Sequence, residues 1–263
     1  MRGVLACNQN LLFHSAQYPN DNALCADILS GGTDGVLLVG REHGDGLTNS
    51  LLDADFPTVC ISYLPQRAIY YAVDCDNETG AYLAVKHLLE GGHRRIGLTQ
   101  TVVSSSWQDE RKAGAARAVA EAGFTEAEII LLPEIAASDE PNLLDRVLRL
   151  RQENPPLTAL LFGDEAAPQR LAEALPACGV RVPEDFSIIS FNSTLASERT
   201  RPPLTSIYQP LETIAAAAVA ILAELIEGRE PALGVRRFPV RLDVRESTGP
   251  VSVVSELRLH GLK

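Results

Sequence analysis

Lysine is almost absent: of 23 basic residues only Lys86, Lys112 and Lys263 are lysines, and 34 acidic residues outnumber the whole set. The formal net charge is −11. A surface that negative repels phosphates, which excludes primary binding of nucleic acid or an anionic membrane by this chain. No apolar run is long enough to span a bilayer. Met1-Arg2 is followed by Gly3-Val4-Leu5-Ala6-Cys7-Asn8, too short an apolar stretch for a secretory signal. Both absences point to a cytoplasmic protein without a membrane partner. Cysteines are few and scattered: Cys7, Cys25, Cys60, Cys75 and Cys178, with no pair at the two-residue spacing of zinc or redox motifs. They read as buried, inert thiols in a reducing compartment. Aromatic residues make up 5% of the chain, with Trp107 the single tryptophan.

What is present is ordinary for a globular protein. At 46% hydrophobic and 22% charged, the chain is neither disordered nor fibrous. Its 263 residues suit one large or two modest domains.

Short β-branched runs alternate with longer helical patterns. Strands are expected at 3–6, 35–39, 58–62, 95–99, 129–132, 159–162 and 187–190, each a nearly continuous apolar run of the kind covered on both faces. A helix begins after Asp76-Asn77, buries Tyr82, Val85, Leu88 and Leu89, and stops at Gly91-Gly92. Others run from about 109 to 122, ending at Gly123, and from about 165 to 177, ending at Gly179. The clearest spans 211 to 226, with Leu211, Ile214, Ala215, Ala218, Val219, Leu222, Leu225 and Ile226 on one stripe. Strand–helix alternation with short connections implies doubly wound α/β sheets, and so many units imply two subdomains. The stretch after Gly249 is either an edge strand or a frayed end.

No catalytic constellation emerges. The glycines of Gly31-Gly32-Thr33-Asp34-Gly35 and of Gly40, Gly44 and Gly46 lack the Lys-Ser/Thr of a phosphate loop and read as turns. Ser104-Ser105-Ser106 before Trp107 is not a Gly-x-Ser-x-Gly elbow. As a loop after a strand it is a place for ligand contact, because α/β sheets bind ligands at the carboxyl ends of their strands. His14, His43, His87, His93 and His260 show no metal-ligand spacing. His93, with Arg94 and Arg95, is expected to meet the carbonyls at a helix end. Asp74 and Asp76 would share one side of an extended segment, but Asp76 is better placed as a helix cap. No metal, cofactor or catalytic residue is assigned.

Four stretches in order resemble the lactose/galactose repressor (LacI/GalR) family of bacterial transcription regulators. The first is Val73-Asp74-Cys75-Asp76-Asn77-Glu78-Thr79-Gly80 through His87-Leu88-Leu89 to Gly92-His93-Arg94-Arg95-Ile96. The second is Arg111-Lys112-Ala113-Gly114, opening a helix that ends Glu121-Ala122-Gly123. The third runs from Pro156-Leu157-Thr158 through Phe162-Gly163-Asp164 to Pro183-Glu184-Asp185 and Ser187-Ile188-Ile189-Ser190-Phe191-Asn192. The fourth is Pro202-Pro203-Leu204-Thr205-Ser206-Ile207-Tyr208-Gln209-Pro210, continuing to Val244-Arg245-Glu246-Ser247-Thr248.

The resemblance implies a periplasmic-binding-protein-like type I core: two doubly wound parallel-sheet α/β subdomains joined by three crossovers, with a small ligand in the cleft between them. The crossings fall near 91–95, 205–210 and 232–240. One subdomain takes 1–93 plus 208–232, the other 94–207 plus 233–249, and 250–263 is a tail. Such a core senses an effector and homodimerises, while an N-terminal helix-turn-helix reads an operator. That helix-turn-helix is missing here, and 3–8 resembles the family's second strand, so the first strand and helix are missing too. A truncated start, residues 3–8 filling the inner position, or an edge covered by a partner chain each fit; the fold is read as N-terminally truncated. Alternative functions are a solute-binding protein of a transport system, which needs an export signal, and an α/β enzyme, which needs a reactive set.

On the same resemblance the effector-binding residues are Arg111, Asn192, Gln209, Asp164, Ser62 and Trp107. Arg111 and Gln209 match the sugar-responsive pattern. Asn192 stands where the family has a carboxylate, Gly163 where it has an asparagine, and Ser62 where it has an acid. With two anionic acceptors gone and the five-donor fork of Arg111 kept, a ligand richer in acceptors is favoured. The expected effector is therefore a sugar, sugar acid or sugar phosphate.

Overall fold

The computed structural model describes residues 20–40, 46–67, 70–100, 105–124, 128–133, 140–163 and 166–251. The strand expected at 3–6, Asp164, Cys7 and the tail beyond 251 lie outside them. In chain order the elements are α1 (Asp21–Asp27), β1 (Val36–Val39), α2 (Gly46–Asp53), β2 (Thr58–Ile61), β3 (Tyr71–Cys75), α3 (Asn77–Glu90) and β4 (Arg95–Gln100). There follow α4 (Ser106–Ala122), β5 (Glu128–Pro133), α5 (Glu140–Leu150), β6 (Ala159–Phe162), α6 (Ala166–Ala174) and β7 (Ser187–Ser190). The last are α7 (Leu195–Arg199), β8 (Thr205–Tyr208), α8 (Leu211–Ile226), β9 (Gly234–Phe238) and β10 (Arg241–Asp243).

The chain divides into two α/β units. The first holds the described residues up to Asp76, residues 105–107 and Pro210–Pro239. Its sheet has the order β1-β2-β3-β9, all parallel. Apolar runs such as Val59-Cys60 in β2 are buried outright, as expected for strands covered on both faces. Helix α8 packs on β1, β2 and β3. It buries Ile214, Ala217 and Ala218, while Leu211 and Ala215, expected on the same stripe, are exposed. The close approach leaves no room at Gly35, where an added Cβ would lie 2.8 Å from Leu222 Cδ1. Strand β3 carries a buried charge: Asp74, 1% exposed, meets Arg237 of the neighbouring β9 at 3.4 Å and accepts from the Cys75 amide at 2.7 Å. This polar centre breaks the apolar run and hides the strand from a periodicity reading.

The second unit holds residues 77–100, 108–209 and 240–251. Its six strands run β10-β8-β7-β6-β4-β5, parallel except for the antiparallel edge pair β10–β8. Phe162, Phe186, Leu157, Leu160, Leu175 and Ile188 form part of its core. Helix α3 belongs with this unit: Gly80 sits where a Cβ would come within 2.6 Å of the Phe191 ring. The boundary read from sequence after residue 93 thus differs from the division by contact, which falls after Asp76. The strand at 234–238 likewise joins the first sheet, whereas the sequence division gave 233–249 to the second.

Two further details depart from expectation. Tyr82 is not core but half-buried; its hydroxyl donates to Glu121 Oε2 at 2.8 Å and Arg117 lies over its ring. Cys25, Cys60 and Cys75 are buried, whereas Cys178 is exposed at the end of a 3₁₀ turn (Leu175–Cys178) closed by Gly179.

The residues after β10 tie down the second sheet. Ser247 Oγ accepts from the Thr205 amide at 2.8 Å and donates to Ile188 O at 2.6 Å, while the Arg245 fork reaches Leu204 O and Ser193 Oγ. Helix-end duty falls to Arg94, whose Nη1 donates to Leu89 O at 3.0 Å. His93 instead lies between Gly249 O, 3.1 Å from Nε2, and Thr158 Oγ1, 2.9 Å from Nδ1. A carbonyl only accepts, so Nε2 carries the proton and the Thr158 hydroxyl donates to Nδ1. Burial is the main force holding the His93 pKa down to about 4, with the Gly249 hydrogen bond opposing it.

That has a sign for stability. The unfolded imidazole binds a proton near 6.5 and the folded one near 4. The stabilisation is therefore complete above the higher value and is lost as pH falls through the lower. Each pH unit between them corresponds to about 1.4 kcal/mol. About 2 kcal/mol is expected to disappear between pH 6.5 and 4.5, with His87, also lowered by burial, adding in the same direction. Urea midpoints of the parent and of His93→Gln at the two pH values measure this; equal slopes for both would remove His93 from the account.

Candidate functional site

At the carboxyl edge of the second sheet four strand ends and one helix bring polar groups together. Thr99 comes from β4, Gly163 follows β6, Asn192 follows β7 and Gln209 follows β8. This is the edge at which open α/β sheets take ligands. Arg111 reaches it from the second turn of α4 and is only 7% exposed. Its Nε donates to Asn77 Oδ1 at 3.0 Å and its Nη1 to Gly163 O at 3.0 Å. The guanidinium lies 3.4 Å from the centre of the Phe191 ring. A planar fork of fixed donors that also stacks on a ring is a role for arginine, not lysine. The Gly163 amide is in turn held by Thr99 Oγ1 at 2.9 Å, and Asn77 Nδ2 donates to Glu110 Oε2 at 3.3 Å.

Gln209 and Asn192 form a relay. Gln209 Nε2 donates to Phe191 O at 3.0 Å and to Asn192 Oδ1 at 2.6 Å. The loop carrying Asn192 is fixed from below, since its carbonyl accepts from Ser190 Oγ and Ser197 Oγ. Arg111, Asn192 and Gln209 thus meet around Phe191, the residue that sequence reading did not single out. Its apolar character signals core; only the neighbouring Arg111 makes its ring a platform.

Ser62 and Trp107 belong to the first unit. Ser62 follows β2 in the left-handed region, φ 55°, with its amide donating to Val73 O at 3.0 Å. A non-glycine residue held there stores about 1–3 kcal/mol of strain, a feature that clusters at functional positions. Trp107 is half-buried in the first turn of α4. Of the serines before it, Ser106 Oγ accepts from the Leu64 amide at 3.0 Å. Ser105 Oγ is buried and, among the described residues, has no hydrogen-bond partner. Buried hydroxyls nearly always have one, so an unanswered polar group stands directly before α4. Among the described residues no cluster of His, Cys, Asp and Glu could hold a metal ion, and no helix is long and apolar enough to cross a membrane.

Comparison with known proteins fits this arrangement. Residues 85–248 match the family model of the periplasmic binding protein-like domain, more than half of the chain. The helix-turn-helix-type transcriptional repressor PurR of Vibrio cholerae serotype O1 is 32% identical over 201 residues. That alignment covers 75% of this chain and 58% of the repressor, so the chain spans well under two thirds of this relative's length. A LacI family transcriptional regulator from Mycobacterium smegmatis superposes with a TM-score of 0.82 at 26% identity, covering 95% of this chain and 92% of that one. The transcriptional regulator CelR in complex with cellobiose gives 0.80 at 25% identity, over 94% and 76%. The chain belongs to the periplasmic binding protein-like domain family and is an effector-binding domain of the LacI/GalR kind.

Proposed function

We propose that the chain is the ligand-sensing and dimerisation core of a cytoplasmic transcription regulator, binding a small sugar-like effector and controlling DNA binding by a separate domain. The observation that carries this is the polar cluster at the carboxyl edge of the second sheet, where Arg111, Asn192 and Gln209 converge on Phe191. It is an edge built for recognition. No reactive set joins it among the described residues: Arg111 is engaged by an amide and a backbone carbonyl, and the two neighbouring amides neither titrate nor attack. Relatives named as repressors favour the regulator over a transport protein.

The effector would act by differential affinity for two arrangements of the whole protein, since equal affinity shifts nothing. Coupling of about 1–3 kcal/mol is typical of such systems. A thermal-shift screen of sugars, sugar acids, sugar phosphates and nucleosides tests the reading. At ligand concentrations about a hundredfold over Kd, stabilisation of about 2.7 kcal/mol is expected. The same hit should lose most of its effect in Arg111→Ala, compared as a shift from that variant's own baseline. A hit untouched by the substitution would take Arg111 out of the site; no hit in any class would sink the sensor reading.

A further inference from the structure

The amide relay settles a polarity that the sequence leaves open. An asparagine side chain offers an acceptor on one arm and a donor on the other, and which arm faces a ligand decides what it can bind. Here the direction follows from a fixed starting point. The Phe191 carbonyl can only accept, so the Gln209 atom 3.0 Å from it must be its NH₂ group. That same NH₂ lies 2.6 Å from one arm of Asn192, which must therefore be the oxygen. The nitrogen arm of Asn192, on a half-buried side chain, is left with no partner for its two hydrogens among the described residues. Turning the Asn192 amide over would set two NH₂ groups against each other; turning Gln209 over would set two oxygens together. Neither alternative is tolerable at these separations.

Directly before Asn192 in the chain, the Phe191 ring carries the Arg111 guanidinium at 3.4 Å. A donor and a positive charge therefore flank the same turn. Gln209 Oε1 is on the far arm of its own amide, and Glu110 is turned toward Asn77. A hydroxyl can answer Asn192, but an oxygen that only accepts gains from the donor and from the charge as well.

We infer that Asn192 is the specificity-determining residue of this site and selects an acceptor-only oxygen, that of a carboxylate or phosphoryl group, on the bound sugar. The inference rests on the proposed sensor function and narrows its ligand. Gln209 acts as a positioning residue, because it sets the amide of Asn192 without needing to touch the ligand.

Matched probes test it: D-gluconate against D-glucose and D-ribose 5-phosphate against D-ribose, by calorimetry on the whole chain. In at least one pair the anionic member should bind tenfold or more tightly than its neutral partner. Asn192→Asp keeps the oxygen that accepts from Gln209 and replaces the unpartnered donor by an acceptor. It should weaken the anionic member at least tenfold, and by several-fold more than it weakens the neutral one. Asn192→Ser, which can still donate, should fall between parent and Asn192→Asp, and unchanged melting midpoints would show that folding is not the cause. Neutral sugars binding as well as or better than their anionic partners, or anionic binding indifferent to Asn192→Asp, overturns the inference and leaves the sensor function standing. Absence of binding across these probes and the wider screen overturns both.

Discussion

Gly114→Ala is expected to destabilise the chain by about 3 kcal/mol, although alanine is the better helix former by about 1 kcal/mol. The reason is where helix α4 crosses α3. A Cβ at Gly114 would lie 2.0 Å from the Glu78 carbonyl oxygen, 2.9 Å from its carbon and 3.0 Å from the Tyr82 nitrogen. All three are backbone atoms of a neighbouring helix, so no rotamer change relieves the overlap and the helices must separate. Separation pulls on everything the crossing holds, including Asn77 at the start of α3 and its hydrogen bond from Arg111 on α4. For a chain of this size each kcal/mol moves the melting midpoint by roughly 2–4 °C, so a drop of roughly 6–12 °C is the expected reading. A midpoint within about 2 °C of the parent would mean that α3 and α4 pack less closely than this, given that scaling. Ligand binding should weaken in parallel, since Arg111 is held through the same crossing.

The crossing also shows what a sequence can disclose. Gly114 stands inside a recognisable stretch, Arg111-Lys112-Ala113-Gly114, and the spacing from arginine to glycine could be read without coordinates. What demands glycine there could not, because the Glu78 carbonyl is 36 residues away in the chain and meets it only after two helices pack. Buried strands were legible for the same reason in reverse: β6 announces itself by an unbroken apolar run and β7 by Ile188-Ile189 between two serines, and their observed limits, 159–162 and 187–190, are the expected ones. Strand β3 was lost because Asp74 sits in its middle and is neutralised by Arg237, 163 residues later. Pairwise compensation over such distances leaves no local signal.

The site divides along the same line. Arg111 and Gln209 stand out as polar residues in motifs, and the resemblance supplied a role for each. Phe191 did not stand out, since an aromatic after an apolar strand reads as core until an arginine is found lying on it. The direction of the Asn192 amide was beyond sequence altogether. It depends on one backbone carbonyl and one glutamine meeting at hydrogen-bond distance. The His93 amide does meet a helix-end carbonyl, that of Leu88, but its ring does not, for a similar reason: the residues that claim the ring, Thr158 and Gly249, lie on distant segments.

Arg111→Met is expected to cost about 3 kcal/mol of stability, the second large effect. Methionine fills a similar length, so lost volume is not the main issue. Two acceptors, Asn77 Oδ1 and Gly163 O, lose the donors of the guanidinium at 3.0 Å, and each buried acceptor left unmatched costs about 1–3 kcal/mol. Loss of the cation over the Phe191 ring adds about 0.5–2 kcal/mol. Against these stands the relief of no longer burying a charge, which offsets part of the total. Arg111→Lys isolates the fork from the charge: it keeps the cation but cannot serve both acceptors while lying flat on the ring. If geometry dominates, the lysine variant should recover less than half of the loss in urea titrations. If charge dominates, it should recover most of it. Recovery of nearly all stability by lysine would show that the planar fork is not what organises this edge, and the amide relay built around Phe191 would then need another anchor.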